Sequence, residues 1–511
     1  MPLPCQKSPI SPPRLLFASA VLLLVLAQAS AAFPLPAQTA KPRPNLDPVV
    51  QALREKRFDA ALQLLKVAQD TSPWDPRVWT LEGLAHTGAG RTDDSLASYQ
   101  KALALAPDYL PALLGVAEIE FRRRDANARL RLERVLALQP GNPTAHAMLG
   151  ILDYERDDCS SAARHFDQCR KYLEQDRFGL GPYGECLIRV RRPAEAVDIF
   201  RGLFRDNPER QQVRYALAVA LYESGHYAEV ADLLRPLAEA PVPDSAVLGL
   251  LADAYEGDHR TPEALETLKK AVRLYLREER HYVALANLCL EHGAYDLGLE
   301  VLDAGVKNLH ESAAIRAMQG VIQAQLGRFA EAEAAFEHAA RLDPAARSAQ
   351  IGRMLTLQET GRLEESIGAL RQQLREEPDD PSLNFMLAQA LIRKGVEPGH
   401  HEFQEAISAL EKAIKGDPLQ APSYVELGKL HLKAGAPVKA AERLREALKL
   451  APGDRTATYQ LMLALRRLGR PQEAQALMDN LRGQLQKGME DDVRTGRYRL
   501  LKSNRTVPDQ P

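Results

Sequence analysis

Cysteine is scarce in this chain of 511 residues: five in all, Cys5, Cys159, Cys169, Cys186 and Cys289. So few, with no C-x-x-C among them, exclude a disulfide-dense scaffold and a thiolate zinc site. Of the possible pairs, Cys169 with Cys186 is the one to check in an oxidising compartment, because both fall on helices expected to be neighbours; buried free thiols are the alternative. An excess of one charge is lacking too. Sixty-six Lys and Arg against 68 Asp and Glu leave a net charge of -2, without the basic surplus that a phosphate backbone selects, so nucleic acid is not an expected partner. Aromatic residues make up only 6%. The sequence has no P-loop, no GxSxG elbow and no HExxH, and with them go the nucleotide, hydrolase and metalloprotease readings that those strings would carry.

Long apolar runs are missing except for one. LLFASAVLLLVLA (15–27) follows Lys7 and Arg14 and precedes the small residues Ala29, Ala31 and Ala32. Residues 1–32 are therefore expected to be a signal peptide, with an uncleaved signal anchor as the alternative and a membrane contact only in that case. FPLPAQTAKPRPNLDP (33–48) reads as a stiff Pro-rich linker. The expectation is an exported protein of bacterial type, periplasmic or secreted.

What the chain does have is Ala, Leu, Arg and Glu at helical spacing, repeated. Steps of 34 from Gly150 land on Gly184, Ala218, Ala252, Ala286, Gly320, Met354 and Ala388. Twelve positions further on runs a second small column, Ala162, Ala196, Val230, Ala264, Gly298, Ala332 and Ser366. Four beyond that comes a large apolar one, Phe166, Phe200, Leu234, Leu268, Leu302, Phe336 and Leu370. The physical reading is a helical hairpin. Small residues let two helices approach, the large residue fills the space between neighbouring hairpins, and Pro208, Pro344 and Pro378 close units by removing a donor. Gly225, Gly293, Gly327 and Gly361 fall in the turns, where a left-handed residue costs glycine least. Six extra residues around 396–403 lengthen a loop after Gly395 without disturbing the register. The unit at 108–142 has slipped, with RRRD replacing the usual turn glycine.

This pattern resembles the tetratricopeptide repeat, matched most fully by Trp79, Gly83, Tyr99, Ala102 and Pro107. The resemblance covers residues 42–488, about thirteen units, and implies an all-α fold: an α-solenoid wound as a right-handed superhelix with a concave groove. Residues 489–511 are left as a C-terminal cap and disordered tail.

Strings that could carry chemistry each have a plainer reading. GLGPYG (179–184) matches GxGxxG, but Pro182 interrupts it and Gly184 belongs to the 34-residue register. His400 and His401 sit in the inserted loop, where adjacent histidines are more often solvated than ligating. Asp93-Asp94, Glu364-Glu365 and Asp379-Asp380 fall where a helix starts, and the basic runs 122–124 and 189–192 read as a solvated surface near turns. No catalytic residue, cofactor or metal site is expected, and the protein is read as not an enzyme.

In the family, positions two, five, nine and twelve of each first helix tend to face the groove. Carried onto this register, the resemblance implies a partner-binding set of Tyr154, Phe178, Tyr215, Tyr222, Asp253, Glu256, Arg280 and Asn287. Such a set suits a protein or peptide partner with apolar anchors and a few charges, although several of these side chains could instead pack between helices. The carboxylate clamp of the co-chaperone members needs Lys and Asn at the fifth and ninth positions; here Asn287 is paired with Val283, which argues against it. The expected function is a non-enzymatic adaptor, and the alternative is a scaffold that works through its convex face or by self-association.

Overall fold

The computed structural model describes residues 44–177 and 179–494. The expected signal segment, most of the linker, the end of the tail and Phe178 lie outside the described residues. Within them the chain forms twenty-seven helices and no strand, an all-α solenoid of thirteen hairpins with one additional short helix, Arg170–Asp176. None of these helices is long and apolar enough to cross a membrane. The chain divides into two units, up to Ala271 and from Val272.

Each hairpin turns through a single left-handed residue, and these residues give the repeat its most exact ruler. They are Lys56, Gly90, Arg124, Asp157, Arg191, Gly225, His259, Gly293, Gly327, Gly361, Gly395, Gly435 and Gly469, with φ between 56° and 89°. The spacing is 34 except for one step of 33, Arg124 to Asp157, and one of 40, Gly395 to Gly435. The first is the slipped unit, now a single missing residue; the second is the insertion, which ends where the helix His401–Gly416 begins. RRRD makes the same turn as the glycines do, with Arg124 bearing the left-handed strain. A non-glycine residue there costs about 1 kcal/mol. Replacing exposed His259 (φ 59°) by Gly is therefore expected to raise the stability of its unit by about 1 kcal/mol, read as a melting point about 2 °C higher. An unchanged or lower melting point would mean that the turn is not strained.

Polar starts and close packing explain the rest. Asn142, Asp244, Ser312, Asp380 and Asp454 each accept a backbone N–H of the first helix that follows. The acid pairs behave as read: Asp93 and Asp94 occupy the first turn of Thr92–Leu105, Glu364 and Glu365 that of Leu363–Glu376. Under each small-residue column lies the large one. A methyl carbon added at Gly150, Gly184 or Gly320 would come within 2.7 Å of Phe166, Phe200 or Phe336 respectively. Glycine goes with an aromatic partner in these units, whereas Ala218, Ala252 and Ala286 go with Leu234, Leu268 and Leu302, all buried. GLGPYG is thus packing: Gly179 starts the helix Leu180–Arg189 and Gly184 seats Phe200.

The basic runs lie at the surface as expected, with Arg122, Arg123, Arg124, Arg189 and Arg191 exposed, and several of their side chains also link successive hairpins: Arg123 to Asp93 at 2.6 Å, Arg189 to Asp157 at 2.6 Å and Arg192 to Asp167 at 2.9 Å. One expectation needs correction. Cys186 does not meet Cys169. Its Sγ lies 2.6 Å from Cys159 Sγ, while the Cys169 thiol donates to the carbonyl of His165 at 3.4 Å. Cys159 and Cys169 stand at the two ends of the second helix Cys159–Gln168, about 15 Å apart along its axis, so a thiol that meets one does not reach the other. That helix stops at Cys169 and the chain restarts as Arg170–Asp176.

Candidate partner-binding site

Three successive first helices of the first unit, Leu180–Arg189, Gln211–Glu223 and Ser245–Gly257, carry residues that the 34-residue register assigns to the groove-facing positions. Counted in that register rather than from each helix's first residue, the fifth positions are Gly181, Tyr215 and Gly249; a methyl carbon added at either glycine would meet nothing within 4 Å. Tyr215 therefore stands between two low places. Ninth positions supply Glu185, Val219 and Asp253, and twelfth positions Ile188, Tyr222 and Glu256, all half-buried. Side chains in that state keep surface available while their backbone is fixed by packing.

The electrostatics separate these groups. Asp253 makes no hydrogen bond or ion pair with the described residues, and burial pushes its carboxyl up to about 6. Burial, then the neighbouring Asp253 charge, raises the Tyr222 hydroxyl, and the Tyr222 ring meets Tyr227 edge-on at 5.3 Å. Tyr154 is different: it is buried, and its hydroxyl donates to Glu185 Oε2 at 2.5 Å, so it packs between hairpins. Burial and that bond push its hydroxyl far above the phenol range. Glu256 accepts from Thr261 Oγ1 at 2.9 Å. In the second unit Arg280 is exposed and bound to Glu278 at 2.7 Å, and Asn287 and Val283 are half-buried. The implied set thus falls on two units, with Phe178 outside the described residues.

Sequence reasoning missed a polar cleft of about 500 Å³ lined by Arg129, His146, Asp153, Ser161, Arg164 and His165. His146 Nε2 donates to the Pro140 carbonyl at 2.8 Å, which leaves its Nδ1 to accept from His165 Nδ1 at 2.9 Å. Asp153, buried, accepts from Arg129 and lies 3.7 Å from His165 Nε2. Burial lowers His165 below its ordinary value, with Asp153 opposing it. Ser, His and Asp meet here without forming a nucleophile: Ser161 Oγ accepts from Arg164 at 3.0 Å, and neither histidine bonds to it among the described residues. Nor do the described residues contain a metal-ligating cluster of three or more His, Cys, Asp or Glu. The signal was available, since His146 and Asp153 flank the apolar run 147–152 of one helix, Pro143–Glu155.

Tetratricopeptide repeat profiles match residues 80–143, 187–254, 250–309, 313–345 and 399–455, together more than half of the chain. A protein described as "Protein CTR9 homolog" from Arabidopsis thaliana is 22% identical over 404 residues, 77% of this chain and 34% of the relative. The chain therefore spans about a third of that relative's length. Among solved structures, a tetratricopeptide repeat protein from Parabacteroides merdae aligns over 52% of this chain and 98% of its own at 18% identity, TM-score 0.40. Yeast Tom70 aligns over 90% and 96% at 16% identity, TM-score 0.41. The chain belongs to the tetratricopeptide repeat family.

Proposed function

We propose that this protein is an exported, non-enzymatic interaction scaffold whose first-helix face between residues 180 and 257 holds a peptide segment of a partner protein. Tetratricopeptide repeats generally mediate protein–protein interaction. The observation that carries the finer reading is the half-buried grid around Tyr215, Val219 and Tyr222, with Asp253 unpaired among the described residues. Amphipathic rings fixed by packing offer apolar contact at little entropy cost, and a partly desolvated carboxylate favours a cationic partner. The segment that fits brings one or two apolar side chains with a Lys or Arg directed at Asp253. Such binding needs the carboxylate ionised, and it weakens as pH falls through about 6.

Cross-linking and capture from an envelope fraction tests this. The Tyr215→Ala, Tyr222→Ala double variant is expected to lose the partner, with affinity lower by roughly 30-fold or more. A partner retained at wild-type affinity by the folded variant would remove the groove reading. A second reading, scaffolding through the second helices, draws on Val67 and Leu130, which are 65% and 69% exposed. It predicts an oligomer that grows with concentration and is insensitive to the tyrosines.

A further inference from the structure

We propose that Cys159 and Cys186 form a reversible disulfide that locks two neighbouring hairpins of the first unit together, with Cys159 as the attacking thiol. Cys159 opens the second helix of one hairpin, Cys159–Gln168, and Cys186 lies on the first helix of the next, Leu180–Arg189. Their sulfurs are 2.6 Å apart, closer than two unbonded sulfurs rest, so bonding them requires little movement. The other described cysteines are placed differently: Cys169 donates to backbone carbonyls, and Cys289 belongs to the second unit.

The surroundings separate the two thiols. Cys159 sits in the first turn of its helix, where the dipole favours an anion, and Arg189 Nη1 lies 3.8 Å from its sulfur. The hydrogen bond from Cys186 and the Arg189 charge outweigh burial and hold the Cys159 thiol below its ordinary value. Cys186, fully buried, is pushed up by its bond to Cys159 and by burial. This asymmetry suits an attacking and a resolving thiol.

The oxidant is a small-molecule or protein disulfide, for which oxidised glutathione is the probe. The Cys159 thiolate attacks one glutathione sulfur, forming a mixed disulfide and releasing one glutathione thiolate. Cys186 then loses its proton and attacks Cys159 Sγ, forming the intramolecular bond and releasing the second thiolate. Two cysteines are oxidised by two electrons in total, one glutathione disulfide is reduced to two glutathiones, and both cysteine protons end on them.

The test uses the full chain, folded and reduced, exposed to oxidised glutathione at pH 8, then unfolded, alkylated and mapped by mass spectrometry. The expected result is a loss of two alkylatable thiols, with one linked pair of peptides holding Cys159 and Cys186. Cys169→Ser should leave that link intact, whereas Cys186→Ser, folded by circular dichroism, should stop at a glutathione adduct on Cys159. The proposal is overturned if the folded wild-type protein keeps all its thiols, if the linked peptide holds Cys169, or if the adduct of Cys186→Ser falls on another cysteine.

Discussion

Gly320→Ala and Phe336→Leu should each destabilise the second unit, and the two together should restore it. In the wild-type structure a methyl carbon at position 320 would sit 2.7 Å from the Phe336 ring, itself 2% exposed. The alanine has to push the ring away from its seat, an overpacking cost of about 1–3 kcal/mol that exceeds the gain of about 1 kcal/mol from replacing a helical glycine. Phe336→Leu leaves part of the ring's volume empty at a cost of about 1.5 kcal/mol, and Phe336→Ala, with no compensation available, costs about 3–5 kcal/mol. The chain contains the expected remedy. Three of its hairpins pair alanine with leucine at these columns, Ala218 with Leu234, Ala252 with Leu268 and Ala286 with Leu302. The double variant should therefore return to within about 1 kcal/mol of wild type, a coupling of about 2 kcal/mol in a double-mutant cycle. Because stability in a repeat array is largely a nearest-neighbour sum, hydrogen exchange should show the loss confined to helices near residues 313–359. Additive single costs would mean that ring and glycine do not share the space as the structure places them.

The same columns explain how much of this molecule was legible beforehand. A period of 34 repeated over many units reports the hairpins directly, since small and large residues must alternate wherever two helices approach; turn glycines such as Gly225 and Gly361 then fall where φ is 77° and 76°. The break at Cys169 was not legible. No glycine or proline lies between Ser160 and Phe178, and a helix interrupted without either leaves no local mark. Cys159, at the other end of the helix from that break, is the residue that meets Cys186. For the implied partner-binding residues, counting gives a register position but not the surroundings. Counting along a helix places Tyr154 and Tyr222 at equivalent twelfth positions, but only the neighbouring hairpin decides that Tyr154 is buried against Glu185 while Tyr222 stays half-buried beside Asp253. The inter-turn pairs of Arg123 and Arg189 were lost for a similar reason, because a partner 30 or 32 residues away is invisible to a reading of charge runs.

The second large effect belongs to the cleft. Asp153→Asn is expected to cost about 2 kcal/mol at pH 7, because Asp153 is buried and neutralises Arg129, whose side chain keeps 27% of its surface and so escapes the full penalty of an abandoned buried charge. The cost should also grow with acid. His165 titrates below 6.5 in the folded protein, so the unfolded chain takes up the proton first; its contribution is intact above pH 6.5 and is lost as pH falls through the folded value. Asp153 opposes the burial that depresses His165. With its charge removed the depression deepens, the window of loss reaches to lower pH, and the gap between wild type and variant should widen by about 1 kcal/mol from pH 7 to pH 5. Denaturant unfolding of both proteins at the two pH values measures this, and adding His165→Gln to both should abolish the widening while keeping most of the pH 7 cost. A gap that stays constant with pH would separate the histidine from the ion pair, leaving the cleft a static knot between hairpins.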